Sequence, residues 1–223
     1  MSSSQIRHAL IMAAGRGNRM RPLTDIIPKA MLPFKDGTLI GHGLGMLSQS
    51  VEHVHVTVGY KSAMLSEYLM SVGGVSSVFN TEGHNNSWWV YNTLMRNIDE
   101  PVLVLTCDNI TELDLSFINS EYSRVGEPTC MLVPVAPVVG IDGDYLTCKD
   151  DLVTNLQRQS PTDLYCSGIQ VLNPFQAFAQ SQGEDSFYTL WDQLIAQNQL
   201  RVSRIYPHKW FSVDTLEQLA KLA

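Results

Sequence analysis

Apolar positions along the chain fall into two kinds of run. Short segments rich in β-branched and other apolar residues cover 8–13, 53–58, 75–79, 102–106, 129–135, 165–172 and 201–206, and these predict strands. Between them lie 39–47, 63–70, 88–97, 174–180, 187–197 and 216–222, where the apolar spacing is nearer the helical period and predicts helices. Strand and helix in this order are what an α/β protein with a largely parallel sheet requires. One segment departs from the rhythm: 145–156 carries Lys149, Asp150 and Asp151 at its middle and reads as a hairpin inserted into the later half. The pattern after Asp108 is less regular than that before it. There is no internal repeat, low-complexity segment or Pro/Ser-rich linker, so one continuous sheet in a single domain, 1–223, is expected.

Composition narrows the class of partner. A chain of 223 residues with 44% hydrophobic and 17% charged positions is an ordinary globular domain. Its net charge of -7 argues against a nucleic-acid partner, which would favour clustered Lys and Arg. Arg16, Arg19, Arg21 and Lys29 nevertheless fall in one short loop, which suggests either a bound anion or a solvated charge cluster. Cys107, Cys130, Cys148 and Cys166 are widely spaced with no CxxC pair, so buried thiols are expected rather than a zinc site or a disulfide framework. The start MSSSQIRHAL lacks the apolar core of a signal peptide, and no run reaches membrane-spanning length. A cytoplasmic protein with no membrane partner is the expectation.

The most informative stretch, AAGRGNRMRPLTDIIPKAML over 13–32, follows the apolar strand HALIM. Glycine at 15 and 17 lets backbone N–H groups approach a phosphate chain at the carboxyl end of a first strand. Two familiar cradles do not fit. The dinucleotide fingerprint needs glycine where Met20 stands, and the Walker loop needs Lys and Ser or Thr where Asn18 and Arg19 follow Gly17. What remains is a glycine turn, then Arg19, then Lys29 fixed behind Pro28.

This stretch resembles the signature of the sugar-phosphate nucleotidyltransferases, LAAGxGxRLxPLTxxxPKxL. The resemblance implies a Rossmann-like three-layer α/β/α sandwich with a mostly parallel central sheet. It implies that Ala13, Ala14, Gly15 and Gly17 bind the nucleotide and that Arg19 and Lys29 act on its phosphates as catalytic cations. Residues 1–110 would then be mainly the nucleotide-binding half and 111–223 mainly the acceptor-binding half. The chemistry brings anionic phosphates together, which calls for Mg2+ on carboxylate oxygen. Asp108, at the end of the run PVLVLTCDNI, matches the family's metal-binding Asp, although it could also cap a turn. The family's second acidic ligand falls at Ser212 in WFSVDTLEQL; Asp214 could take its place, or could be the N-cap of the last helix with Glu217 completing a capping box. Asp192 or water are the other ways to complete the pair.

On the acceptor side, FNTEGHNNSWWVYNTL and TLWDQLI resemble the phosphocholine cytidylyltransferase branch. Asn86 and Ser87 are expected to contact base or ribose. Trp88, Trp89, Tyr91, Tyr165, Trp191 and Trp210 could form an aromatic cage for a quaternary ammonium or could simply be core. Gln157 and Arg158 stand where sugar members carry a Glu-Lys pair that grips acceptor phosphate, and Gly168 matches the glycine that follows; Arg158 could equally be a surface strand residue. The 145–156 hairpin could form part of a lid over the acceptor. Together these readings describe transfer of a nucleoside monophosphate, from CTP or UTP by resemblance, to a phosphorylated small acceptor bound by Arg158, Gly168, Trp191 and Asp192. The alternative is a nucleotide-binding regulatory protein that has lost catalysis, for which Ser212 is the support.

Overall fold

The computed structural model describes residues 5–138, 143–182 and 186–222. Its strands are β1 His8–Met12, β2 Pro33–Phe34, β3 Gly37–Thr38, β4 His53–Val58, β5 Ser77–Asn80, β6 Val102–Thr106, β7 Asn109–Thr111, β8 Cys130–Val135, β9 Tyr145–Lys149, β10 Leu152–Gln157, β11 Tyr165–Leu172, β12 Leu200–Val202 and β13 Trp210–Ser212. Its α-helices are α1 Leu23–Ile26, α2 Leu39–Leu47, α3 Ser62–Val72, α4 Trp88–Asn92, α5 Leu115–Arg124, α6 Pro174–Gln180, α7 Phe187–Ala196 and α8 Leu216–Leu222.

Nine strands form one sheet in the order β5-β4-β1-β6-β11-β8-β12-β10-β9. β1 lies parallel to both β4 and β6, and only β11 and β10 run against the other strands. The central strands are apolar throughout because they are buried on both faces. In β1, Ala9 and Ile11 point into one core while Leu10 points into the other; in β6, Leu103 and Leu105 divide from Val102 and Val104 in the same way. The first face is covered by α2, α3 and α5 through Leu47, Leu65, Leu69, Ile118 and Tyr122. The second is covered by α4, α6 and α7 through Trp89, Val90, Ala177, Leu190 and Leu194. This is the mostly parallel α/β/α sandwich. No helix among the described residues is long and apolar enough to cross a membrane.

The differences from the sequence reading have local causes. The expected helix over 88–97 splits at Thr93, whose hydroxyl bonds back to the Trp89 carbonyl at 2.7 Å and accepts the Met95 amide, so a 3-10 turn follows α4. α5 is not predicted by the pattern because the segment is only weakly apolar overall, with Ser116, Asn119, Ser120, Glu121 and Ser123 among the apolar positions; it starts where the Asp114 side chain accepts from the Ser116 and Phe117 amides. The expected strand over 201–206 ends at Val202, after which Arg204 turns to the buried Glu121 carboxylate at 2.6 Å. The hairpin over 145–156 forms as β9 and β10 at the far edge of the sheet.

Candidate active site

From β1 the chain builds outward to β4 and β5 on one side, then returns to place β6 on the other side of β1. Such a reversal leaves a crevice beyond the carboxyl ends of the two central strands. A cleft of about 930 Å3 opens there, walled by the loop after β1, the Thr81–Asn86 segment, Thr106 to Asp108, Ser186, Tyr188 and Asp214.

The loop after β1 is held by close packing. Gly17 has φ +66, and a Cβ on it would stand 2.9 Å from Lys29 Cβ, so the turn can close on the Lys29 stem only with glycine there. The Thr24 hydroxyl donates to the Gly17 carbonyl at 2.9 Å. Behind the loop, Gly59 allows the same closeness, since a Cβ there would meet the Ala14 carbonyl oxygen at 2.8 Å. Met20 is fully buried and packs with Leu32, Phe34, Leu39, Val213 and Leu219, a small separate core that ties the loop to the last segment of the chain.

Asp108 and Asp214 are brought together by a pairing remote in sequence. β7 and β13 form a two-stranded antiparallel ladder with Ser212 opposite Asn109, and the Val213 amide donates to the Asp108 carbonyl at 3.1 Å. Buried Asn109 fixes the turn after β6: its side chain accepts from the Thr106 amide at 3.1 Å and donates to the Ser167 carbonyl at 3.2 Å. The capping expected of Asp214 falls to its neighbours. Thr215 Oγ1 accepts the Gln218 amide, and Gln218 Oε1 accepts the Asp214 and Thr215 amides. That arrangement leaves the Asp214 carboxylate to face the cleft, while Glu217 pairs with Lys221 on the surface.

The Lys29 ammonium bonds both Asp108 Oδ2 and, at 2.9 Å, Asp214 Oδ1, and Arg19 reaches the same Asp214 oxygen at 2.9 Å. Two cations therefore balance two carboxylates on the cleft floor. Burial works against the Lys29 charge, but the carboxylates of Asp108 and Asp214 outweigh it and its pKa is raised. Beside it, burial first and then the Asp108 charge push the Cys107 thiol up to about 12, so it stays protonated at neutral pH. Asp108 Oδ1 is buried without a hydrogen-bond partner among the described residues.

Ala14, Gly15, Gly17, Arg19, Lys29, Asn86, Asp108 and Asp214 line the cleft together. Six other residues singled out from the sequence are not among its lining. Ala13 has its side chain in the core and its amide bonded to the Thr57 carbonyl at 3.0 Å, so that amide is already used. Ser87 is fully buried at the start of α4. Trp191 is a core residue whose Nε1 donates to Gln170 Oε1 at 3.0 Å, and Asp192 is exposed on α7 away from the cleft. Gly168 sits where the β11 register shifts, with φ +78, and Arg158 Nε donates to Asp144 Oδ1 at 3.1 Å. Of the other aromatic candidates only Trp89 lines the cleft, with its ring otherwise buried; Tyr91, Tyr165 and Trp210 are buried away from it and Trp88 stacks on His84, so the six rings are not gathered into one cage.

Tyr188 is the side chain the sequence reading passed over. It lines the cleft, its hydroxyl donates to Asp144 Oδ2, and its ring stands edge-on to Trp191 at 5.7 Å. The aromatic run FYTLW contains it, but 188 and 191 lie on one face of α7, and it is their different surroundings, the cleft mouth for Tyr188 and the core for Trp191, that separate them.

The model of the nucleotidyl transferase family matches residues 8–139, more than half of the chain. The chain belongs to the nucleotidyl transferase family. Among relatives of this family member, the N-acetylmuramate alpha-1-phosphate uridylyltransferase of Neisseria meningitidis is 32% identical over 174 residues, 74% of this chain and 75% of that protein. The choline-phosphate cytidylyltransferase of Streptococcus pneumoniae is 34% identical over 86 residues, 37% of either chain. The bifunctional protein GlmU of Methanocaldococcus jannaschii is 28% identical over 116 residues, and the match spans only 28% of that protein's length. Among solved structures, a putative glucose-1-phosphate thymidylyltransferase from Bacillus anthracis superposes with a TM-score of 0.78 at 14% identity, over 96% of this chain and 93% of that one. The CTP:phosphocholine cytidylyltransferase of Streptococcus pneumoniae gives 0.75 at 22% identity, over 96% of both chains. These likenesses carry the fold.

Proposed function

We propose that this family member is a nucleotidyltransferase. It moves a nucleoside monophosphate from CTP or UTP to a phosphorylated small acceptor, a sugar 1-phosphate or a phosphocholine-like monoester, and releases pyrophosphate. The observation that carries the reading is the ion cluster of Lys29, Arg19, Asp108 and Asp214 on the floor of a cleft at the strand-order reversal. Cations placed beside a glycine turn are where a triphosphate needs them, and carboxylates beside those cations are where its counter-ion needs them.

The carboxylate oxygens fit a hard divalent cation. Asp108 keeps one buried oxygen without a partner, and no group of three or more His, Cys, Asp or Glu side chains is assembled among the described residues. Two carboxylates completed by substrate phosphates and water are the usual environment of Mg2+. Asp108 and Asp214 would hold Mg2+, which supplies neutralisation of phosphate charge. Lys29 and Arg19 take up charge on the phosphates as the bond to the leaving pyrophosphate lengthens. A phosphate monoester is itself a nucleophile at neutral pH, so the attack on the α-phosphorus asks no general base of this chain. In this reading the first half of the chain supplies the nucleotide side, and Ser186 and Tyr188 face the acceptor. The work belongs in the cytoplasm, where nucleoside triphosphates are supplied.

The regulatory alternative rests on Ser212; Asp214, two residues on with its carboxylate at Lys29, is what favours the enzyme reading over it. The test is pyrophosphate release with Mg2+ across CTP, UTP, dTTP, GTP and ATP against sugar 1-phosphates and phosphocholine. Turnover is expected with a pyrimidine nucleotide and one acceptor class. Nucleotide affinity without turnover anywhere in the panel would overturn the assignment in favour of the regulatory protein.

A further inference from the structure

The two carboxylates available to a divalent cation are already bridged by one cation of the chain's own. The geometry points to Lys29 as an internal counter-ion that keeps the Asp108–Asp214 pair closed to metal until a triphosphate draws the ammonium away. This rests on the nucleotidyltransferase reading for the identity of the triphosphate, but the closed pair itself is a property of the free chain.

The Lys29 side chain is 10% exposed, and those of Asp108 and Asp214 are 15% and 22% exposed. In such a partly buried setting two carboxylates near one another need a shared cation, because water screens their repulsion poorly. Only one cation at a time can sit between Asp108 Oδ2 and Asp214 Oδ1, and the ammonium sits there. Its stem runs against the glycine turn, where a Cβ on Gly17 would lie 2.9 Å from Lys29 Cβ and 3.3 Å from Cδ. The stem is thus anchored to the loop, and the ammonium is the part left to swing towards an anion in the cleft. Arg19 shares Asp214 Oδ1 at 2.9 Å and lines the same cleft, so one polyanion can engage both cations together. Asp108 Oδ1, buried and without a partner among the described residues, marks a carboxylate that the ammonium satisfies on one side only. Nucleotide therefore binds before the metal or brings its own, and the nucleotide-free protein has no site for the cation.

Titration of the full chain with Mn2+ alone, followed by the electron paramagnetic resonance signal of free Mn2+, tests this. Wild type is expected to leave the signal unchanged at millimolar Mn2+. Lys29→Met, checked for folding by circular dichroism, is expected to take up one Mn2+ at least about tenfold more tightly than wild type, and Lys29→Met with Asp108→Asn to fall back to the wild-type level. Should the methionine variant not fold, Lys29→Gln replaces it. Wild type binding Mn2+ as tightly as either variant, or a folded variant that gains no Mn2+, overturns the proposal. No nucleotide or acceptor is present, so this result and the pyrophosphate assay fail independently.

Discussion

At the cradle end of the cleft, Lys29 and Arg19 are paired only with carboxylates that can be handed to another cation. At the far end, behind Tyr188 and outside the cleft lining itself, Arg158 is committed to Asp144, and Asp144 also holds the Tyr188 hydroxyl. Both ends contain a cation and a carboxylate, yet their settings differ. The Lys29 side chain is 10% exposed, whereas that of Arg158 is 67% exposed and its pair with Asp144 is open to solvent screening. Under the proposed function the first arrangement holds charge for use against a highly charged ligand. The second uses charge to fix the orientation of an aromatic wall. Under the proposed function the same residue types serve catalysis in one place and positioning in the other, and burial separates the two settings.

The comparison is broken most directly at the cradle. Lys29→Ala or Asp108→Ala should each lower turnover by about two orders of magnitude or more, since in the proposed reaction each removes a group that acts on phosphate charge in the transition state. Arg158→Ala should leave most of the turnover at saturating acceptor. Pyrophosphate release by the three variants, measured side by side, checks this, and equal losses in all three would erase the distinction between the two ends.

A smaller effect is expected from the backbone that supports Lys29. Gly17→Ala forces a side chain into the left-handed region and against Lys29 Cβ at 2.9 Å. The strain of about 1 kcal/mol or more, together with the displaced stem, should weaken nucleotide binding by about tenfold. Gly15→Ala meets nothing within 4 Å in the free chain and should fold without strain. Nucleotide titrations and melting temperatures of the two variants check the contrast; an equally strained Gly15→Ala would contradict it.

The cradle was legible from sequence because it is local. Glycine, arginine and lysine lie within one loop whose position is fixed by the strand before it, and Asp108 ends the neighbouring strand, so the place of Gly15, Gly17, Arg19, Lys29 and Asp108 at one cleft could be read in order. Asp214 stayed ambiguous because its role depends on the β7–β13 ladder and on Thr215 and Gln218 taking over the helix cap, neither of which has a local signature. Trp191 and Asp192 stand in the sequence reading where Tyr188 lines the wall; 188 and 191 share one face of α7 a turn apart, and only the packing beyond the helix puts Trp191 in the core and Tyr188 at the cleft. Ala13 lies within the motif but spends its amide on Thr57, a contact made across the sheet.

The smallest predicted effect tests the far end alone. Tyr188→Phe keeps the ring beside Trp191 and removes only the hydroxyl that donates to Asp144. Asp144 retains the Arg158 bond at 3.1 Å, so its charge is not stranded and the fold should be little affected. The lost hydrogen bond to a charged group is worth about 1.5–3 kcal/mol at most, less here because the ring remains packed. The acceptor KM should therefore rise by about three- to tenfold, with the nucleotide KM and kcat nearly unchanged. Steady-state kinetics with each substrate varied in turn give the split. A rise in nucleotide KM instead would put Tyr188 on the nucleotide side and make the two ends of the cleft one site for one ligand, which would leave the acceptor to be bound elsewhere.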